Sequence, residues 1–329
     1  MRAQLLQSYG DKPDFKLADI PKPEVVPGQV LVRIAATSVN PIDLKIRKLG
    51  LAFAPALPAI LGMDMAGTVE AVGEGVTDFS EGDAVYGWPG GVVNMPGCLA
   101  EYVLADPRLI AKKPEKLSFV QAAALPLVTL TAWEALFDRA GVASGRHVLI
   151  HAGTGGVGHV AVQLAKAFGA RVATTVSSSE KAKIAETFGP DEIINYQQES
   201  VEEYVARLTG NTGFDMVFDT VGGTNLDASL TACCPRGVVA STNTRSTHDL
   251  SPMHAKGLTL AVIFSLLPLL TGQRRERCNE ILTEAARLAD AGKLHPLLAG
   301  LPFPLEDVAA AHDFLDSGKA VGKVVVEIG

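Results

Sequence analysis

Leu149–Ala170 reads LIHAGTGGVGHVAVQLAKAFGA, and the fold of the chain turns on it. A short apolar run, His147 to His151, leads into Gly153-Thr154-Gly155-Gly156-Val157-Gly158. An amphipathic segment of about three turns follows and stops at Gly169. Strand, glycine-rich turn and helix in this order hold a dinucleotide pyrophosphate. In that reading Gly153 permits the tight turn, Gly155 lets the backbone approach the phosphates, and Gly158 lets helix pack on strand. The N–H groups at the helix start then face an anion. A second strand, Ala170 to Val176, follows directly, so both flanks of the motif are in place.

The end of that second strand selects the nucleotide. NAD-binding folds carry an acid about twenty residues after the glycines, bonded to the ribose 2′-hydroxyl. This chain has Ser177-Ser178-Ser179-Glu180-Lys181 there. Hydroxyls and an ammonium suit a 2′-phosphate, which points to NADPH. The serines equally suit the cap of the next helix, and one terminus can serve both ends.

Outward from this unit, strands are expected at Glu192–Asn195, Asp215–Asp219, Gly237–Ser241 and near Leu258–Phe264. Helices are expected at Gly158–Phe168, Glu180–Phe188, Val201–Leu208, Thr224–Ala232 and Arg274–Ala291. Such alternation implies a doubly wound parallel sheet with helices on both faces. Residues 1–119 instead show short strands punctuated by proline and glycine, as in a small β-barrel. The last strand, Lys323–Ile328, returns to that region. The expected division is 1–119 with 296–329, and 120–295 for the nucleotide unit; 329 residues are too many for one ordinary core.

Charge and composition exclude several classes. The net charge is −7, so a nucleic-acid role lacks its electrostatic basis. The longest apolar stretch, Leu258–Leu270, contains Ser265 and Pro268 and is too short to span a bilayer. No apolar region follows Met1-Arg2-Ala3-Gln4, so no secretory signal is expected. The four cysteines, at 98, 233, 234 and 278, have no CxxC spacing, which reads as reduced thiols in a cytoplasmic protein.

Seven segments together carry a family resemblance: Ser38-Val-Asn40-Pro-Ile-Asp43, Leu61-Gly-Met-Asp64-Met-Ala-Gly67, Gly82-Asp-Ala-Val-Tyr86, Ala100-Glu-Tyr102, Ala152–Gly158, Asp219-Thr-Val-Gly-Gly223 and Gly322-Lys-Val-Val325. With these the chain resembles the medium-chain dehydrogenase/reductases, in the zinc-free quinone oxidoreductase (zeta-crystallin-like) branch. The resemblance implies an α/β fold: a GroES-like β-barrel catalytic domain beside a Rossmann domain, with the active site in the cleft between them. Zinc-bearing members of the superfamily hold their catalytic metal with a cysteine, a histidine and a later cysteine. Asn40, Met63 and Leu127 stand at or near those positions here. Without thiolate or imidazole donors a tetrahedral zinc site is not expected. Hydride transfer then needs an acceptor that stabilises its own charge, as quinones and α,β-unsaturated carbonyls do by conjugation.

The same resemblance implies roles for single residues. Asn40 contacts the nicotinamide ribose or the substrate, or is a turn cap. Thr131 lies near the nicotinamide, or bonds back to its own helix. Lys181 and Tyr196 lie at the 2′-phosphate; a surface tyrosine is the plain alternative. Phe264 and Ser265 offer backbone to the nicotinamide amide, and Lys323 reaches the cofactor phosphates or is a surface charge. Asn243 follows the fifth strand, where ligands bind in such sheets. No tyrosine occurs between Asn40 and Ile60, so Lys45 is the nearest group to assist a developing enolate, unless it is merely exposed. A homodimer is expected through the apolar edge at Leu260–Leu267, which unpaired would be prone to aggregate. An NADPH-binding sensor or crystallin-like structural protein without turnover is the competing function.

Overall fold

The computed structural model describes all residues, Met1–Gly329. The chain divides into two compact units, Met1–Leu127 with Leu266–Gly329, and Val128–Ser265.

The first unit opens with β1 (Arg2–Leu6) and β2 (Phe15–Asp19), an antiparallel pair. Then come β3 (Val30–Val39), α1 (Pro41–Leu49), β4 (Met65–Val72), β5 (Ala84–Gly87), β6 (Tyr102–Ala105), β7 (Ile110–Lys112) and α2 (Phe119–Ala123). Helix α1 begins where Pro41, with its preset φ, occupies the first helical position and Asp43 accepts the Asn40 N–H at 2.8 Å. It ends at Gly50, in the left-handed region at φ 52°.

The second unit starts within α3 (Pro126–Trp133), which continues in π-type turns over Glu134–Arg139. Strands β8 (His147–Ile150), β9 (Arg171–Val176), β10 (Glu192–Asn195), β11 (Phe214–Asp219), β12 (Cys233–Ser241) and β13 (Thr259–Val262) follow. Between them run α4 (Gly156–Ala167), α5 (Ser179–Glu186), α6 (Val201–Thr209), α7 (Thr224–Ala232) and α8 (Ser251–Lys256). The six strands are parallel in the order β10-β9-β8-β11-β12-β13. Counted along the sheet this is 3-2-1-4-5-6, the doubly wound order whose reversal lies between β8 and β11. Leu149, Ala173, Ile194, Val217 and Val239, one from each of five strands, share a core with Tyr204, Phe214 and Leu230.

The chain then returns to the first unit through α9 (Leu267–Thr271), α10 (Arg275–Asp290), β14 (Phe303–Pro304), α11 (Val308–Asp316) and β15 (Val324–Glu327). Strand β15 pairs antiparallel with β3, completing a sheet in the order β14-β15-β3-β4-β5-β7, with β6 also on β3. The expected boundary at 295 is corrected here. Helix α10 packs on β7 and β5: Asn279 Nδ2 donates to Ile110 O at 2.6 Å and Tyr86 OH to Leu282 O at 2.6 Å. A period-3.6 pattern shows that α10 has an apolar face, not which sheet that face covers.

One buried group in this unit has a pH signature. His312 on α11 is 0% exposed, sits edge-on to Phe15 with centroids 4.9 Å apart, and has no hydrogen-bond partner at either ring nitrogen. Burial, then the Arg47 guanidinium, pushes its imidazole down from 6.5 to about 3. The unfolded chain therefore binds the proton first as pH falls. Stability present above about pH 6.5 is lost towards about pH 3, at roughly 1.4 kcal/mol per unit. His312→Phe, which keeps the ring contact, is expected to move the acid unfolding midpoint to lower pH. An unchanged midpoint by circular dichroism would show that this imidazole is not what limits acid stability.

Candidate active site

In the second unit the glycine turn leaves the end of β8 and enters α4. Its backbone is pinned to β9: Ala152 N donates to Thr175 Oγ1 and Gly153 N to Thr175 O, both at 3.0 Å. The glycine roles differ in part from expectation. The left-handed residue of the turn is Ala152, at φ 56°, and not Gly153. Gly153 lacks a side chain because a Cβ would lie 2.2 Å from Thr174 Oγ1 on the neighbouring strand. Gly158 is required for close packing, since its Cβ would lie 2.0 Å from Ala152 O. At Gly155 the nearest atoms to an added Cβ are Ala152 O at 3.2 Å and Ala152 Cβ at 3.7 Å, so this face is open. Gly155 caps α4, and Gly156 and Val157 form its first turn beside the buried Thr154. A helix start has unpaired N–H donors, so an open glycine face here fits a pyrophosphate.

Across the sheet reversal, Asp219 at the end of β11 is 0% exposed and organises two loops. Its Oδ1 accepts from Val221 N, Gly222 N and Asn225 Nδ2 at 2.7–3.0 Å, and its Oδ2 from Ser241 Oγ at 2.7 Å. Asn243 N donates to the same Ser241 hydroxyl at 3.3 Å. Asp219 thus sets where Asn243 stands. Its signal in the sequence is a carboxylate that ends an otherwise apolar strand.

The other residues singled out in this unit follow the ends of the strands or lie on α3. Ser178 caps α5, accepting from Lys181 N at 3.2 Å, so the capping role of that serine is realised. Ser177 and Lys181 are half-buried beside it, and Tyr196 after β10 is 55% exposed. Backbone bonding and Ser178 hold the nearby Glu180 carboxyl below its usual range. Thr131 and Ser265 are brought together, hydroxyl to hydroxyl at 2.8 Å, with Phe264 half-buried next to Ser265.

The first unit holds a buried polar cluster. Asn40, Asp43, Asp64 and Lys323 are each at most 3% exposed. Asp64 Oδ1 accepts from Leu127 N at 2.8 Å. Asp64 Oδ2 accepts from Ser38 Oγ at 2.5 Å, Asn40 Nδ2 at 2.8 Å and Lys323 Nζ at 3.3 Å. Lys323 Nζ also donates to Asn40 Oδ1. The expectation that Lys323 reaches cofactor phosphates is corrected: its ammonium is buried and committed to Asn40 and Asp64, because two acceptors enclosed with it outweigh solvation outside. Lys45, on α1, is exposed. Burial raises the Asp43 carboxyl to about 7, against the bond from Asn40 N–H and the Lys323 charge, and with help from Asp64. Cys98, also buried here, has its thiol pushed well up by burial and by both aspartates. No group of three or more His, Cys, Asp or Glu side chains converges as metal ligands.

Residues 26–115 match the family described as alcohol dehydrogenase GroES-like domain, and residues 156–285 match zinc-binding dehydrogenase. The human quinone oxidoreductase is 32% identical over 99% of this chain and 97% of its own length. The chloroplastic NADPH-dependent alkenal/one oxidoreductase of Arabidopsis thaliana is 33% identical over 99% of this chain and 79% of its own. Among solved structures, an alcohol dehydrogenase superfamily protein from Novosphingobium aromaticivorans superposes with a TM-score of 0.95, at 41% identity over the whole of both chains.

Proposed function

We propose a particular activity on the premise that the chain belongs to the medium-chain dehydrogenase/reductase superfamily, in its quinone oxidoreductase (zeta-crystallin-like) branch. It is an oxidoreductase of the nicotinamide-dependent kind. Our reading is that it transfers reducing equivalents from NADPH to a quinone or an α,β-unsaturated carbonyl, without zinc, as a cytoplasmic homodimer paired along β13. The observation that carries it is the open face over Gly155 at the start of α4. There Thr154, Gly155, Gly156 and Val157 would hold the pyrophosphate. Ser177, Ser178, Lys181 and Tyr196 would hold the 2′-phosphate, and Asn243, Phe264 and Ser265 the nicotinamide half. When bound, NADPH supplies the hydride. Thr131, held by its bond to Ser265, would orient the ring. Zinc independence is supported by the donor set, since Met63 and Leu127 offer neither thiolate nor imidazole.

The test is coenzyme oxidation, followed by absorbance, across quinones, enals and enones. Turnover with NADPH and no zinc in the purified protein is expected. Tight NADPH binding with silence across the panel would instead make the protein a sensor. Glu180, ionised at the same helix start, is the one observation that favours NADH. Lys181→Ala decides the point. It is expected to weaken NADPH about tenfold, the loss of one charge-assisted bond, and to leave NADH unchanged. Equal losses for both coenzymes would remove the 2′-phosphate from this reading.

A further inference from the structure

Asp227, His248 and Ser246 meet within the second unit. Asp227 lies in the first turn of α7, and the other two lie on the loop from β12 to α8. His248 Nδ1 stands 2.8 Å from Asp227 Oδ1, and its Nε2 stands 2.5 Å from Ser246 Oγ. The partners fix the tautomer. A carboxylate only accepts, so Nδ1 carries the ring proton and Nε2 is left to accept from the Ser246 hydroxyl. An acid that orients an imidazole, and an imidazole that takes a hydroxyl proton, are the parts that make a serine nucleophilic.

The exposure of the three residues suits this. The His248 side chain is 7% exposed, which shields its hydrogen bonds from water. Ser246 is exposed, so an acyl group reaches its oxygen from solvent without entering a cavity. The loop is tied on both sides. Asn243 Nδ2 donates to Val221 O at 3.3 Å, and Ser251 N and Oγ donate to Asp249 Oδ1 at 2.9 and 2.6 Å. No backbone hydrogen bond of the fold uses the N–H of Ser246 or Thr247, which leaves donors next to the nucleophile in the chain.

We propose that these residues form a second reactive site, which hydrolyses short-chain esters of good leaving groups through an acyl-Ser246 intermediate. As Oγ attacks the ester carbonyl carbon, its proton passes to His248 Nε2. The bond from that carbon to the leaving oxygen breaks, and the leaving oxygen takes the proton. Water, deprotonated by the same nitrogen, then attacks the acyl carbon; the carboxylic acid departs and the serine hydroxyl is restored. Asp227 is a positioning residue. An open surface offers no pocket for a long chain, so reactivity and not shape sets the substrate class. The site uses no coenzyme and stands independently of the activity proposed above.

The test incubates the full chain with p-nitrophenyl acetate and follows both p-nitrophenolate release and the mass of the peptide that contains Ser246. The wild type is expected to turn over repeatedly and to carry an acetyl group on Ser246 while it does. Ser246→Ala is expected to lose that label, and both it and His248→Gln to lower release about 100-fold, the scale of a general base. Asp227→Asn is expected to slow acylation with the melting temperature unchanged, and Asp227→Glu to recover part of the rate. The imidazole nitrogen shifts of His248 are expected to report an Nδ1–H ring in the wild type and an Nε2–H ring in Asp227→Asn. Acetyl groups on lysines alone, a single burst without further release, or release unchanged in Ser246→Ala overturns the proposal. Ser246→Ala removes only an exposed hydroxyl, so that arm decides the matter even if His248→Gln does not fold.

Discussion

Gly158→Ala is expected to unfold the nucleotide unit, and Gly155→Ala to leave it folded but unable to hold coenzyme. At Gly158 the added Cβ would lie 2.0 Å from Ala152 O and 2.8 Å from Ala152 C, both backbone atoms. Neither can rotate away, so α4 must retreat from the end of β8. Val160, Ala161 and Leu164 on that helix are 0% exposed and would lose their packing. A cost of about 3–5 kcal/mol is expected, as for other backbone and core disruptions. At Gly155 the Cβ meets Ala152 O at 3.2 Å, which a few tenths of an ångström relieve. That methyl would occupy the face offered to the pyrophosphate. Dropping contacts worth about 3 kcal/mol weakens coenzyme roughly 100-fold. Denaturant unfolding and coenzyme titration separate the two effects. A stable Gly158→Ala protein, or a Gly155→Ala protein with unchanged affinity, would show that the turn does not act as described.

Asp43→Asn is expected to stabilise the protein increasingly as pH rises. The folded-state carboxyl titrates at about 7, above its ordinary 3.8, chiefly because it is buried. A group raised in this way is fully favourable only below its unfolded value. Its contribution is lost as pH climbs from about 4 to about 7. The asparagine has no charge to bury and can still accept the Asn40 N–H now bound at 2.8 Å. The difference between the two proteins should therefore grow by about 1.4 kcal/mol per unit and level off at roughly 4 kcal/mol. Urea unfolding across that range measures it directly. A difference independent of pH would mean that Asp43 is already ionised throughout, with Lys323 compensating more than the geometry suggests.

Much of the second unit was readable in advance because its signals are local. Helix Thr224–Ala232 falls where expected, and α4, α5 and α6 differ from the sequence reading by one or two residues at their ends, as does α10 in the first unit. The strand–glycine–helix motif and the alternation around it imply a doubly wound parallel sheet, while the order of its strands is seen only in the fold. The first unit was less legible. Asn40-Pro41 reads as a turn, and nothing nearby says that a helix follows until Asp43 closes the cap. Helix α3 gives way to π-type turns after Trp133. Neighbouring spacing does not encode which hydrogen bond of two competing registers survives packing.

The sequence by itself determined the parallel sheet with its glycine turn, the resemblance to the family, and the lack of thiolate or imidazole at Asn40, Met63 and Leu127, the positions which that resemblance marks. Each of these follows from short-range spacing or from residue identity. Tertiary structure alone decided that Ala152 takes the left-handed turn while Gly153 makes room for Thr174. It also placed α10 on the barrel strands, made Asp219 the organiser of two loops, and set Lys323 against Asn40. The physical reason is sequence distance. Lys323 and Asn40 are 283 residues apart, and Asn40 and Asp64 are 24. The energy of a buried ion depends on which partners are enclosed with it, and only the completed fold encloses them.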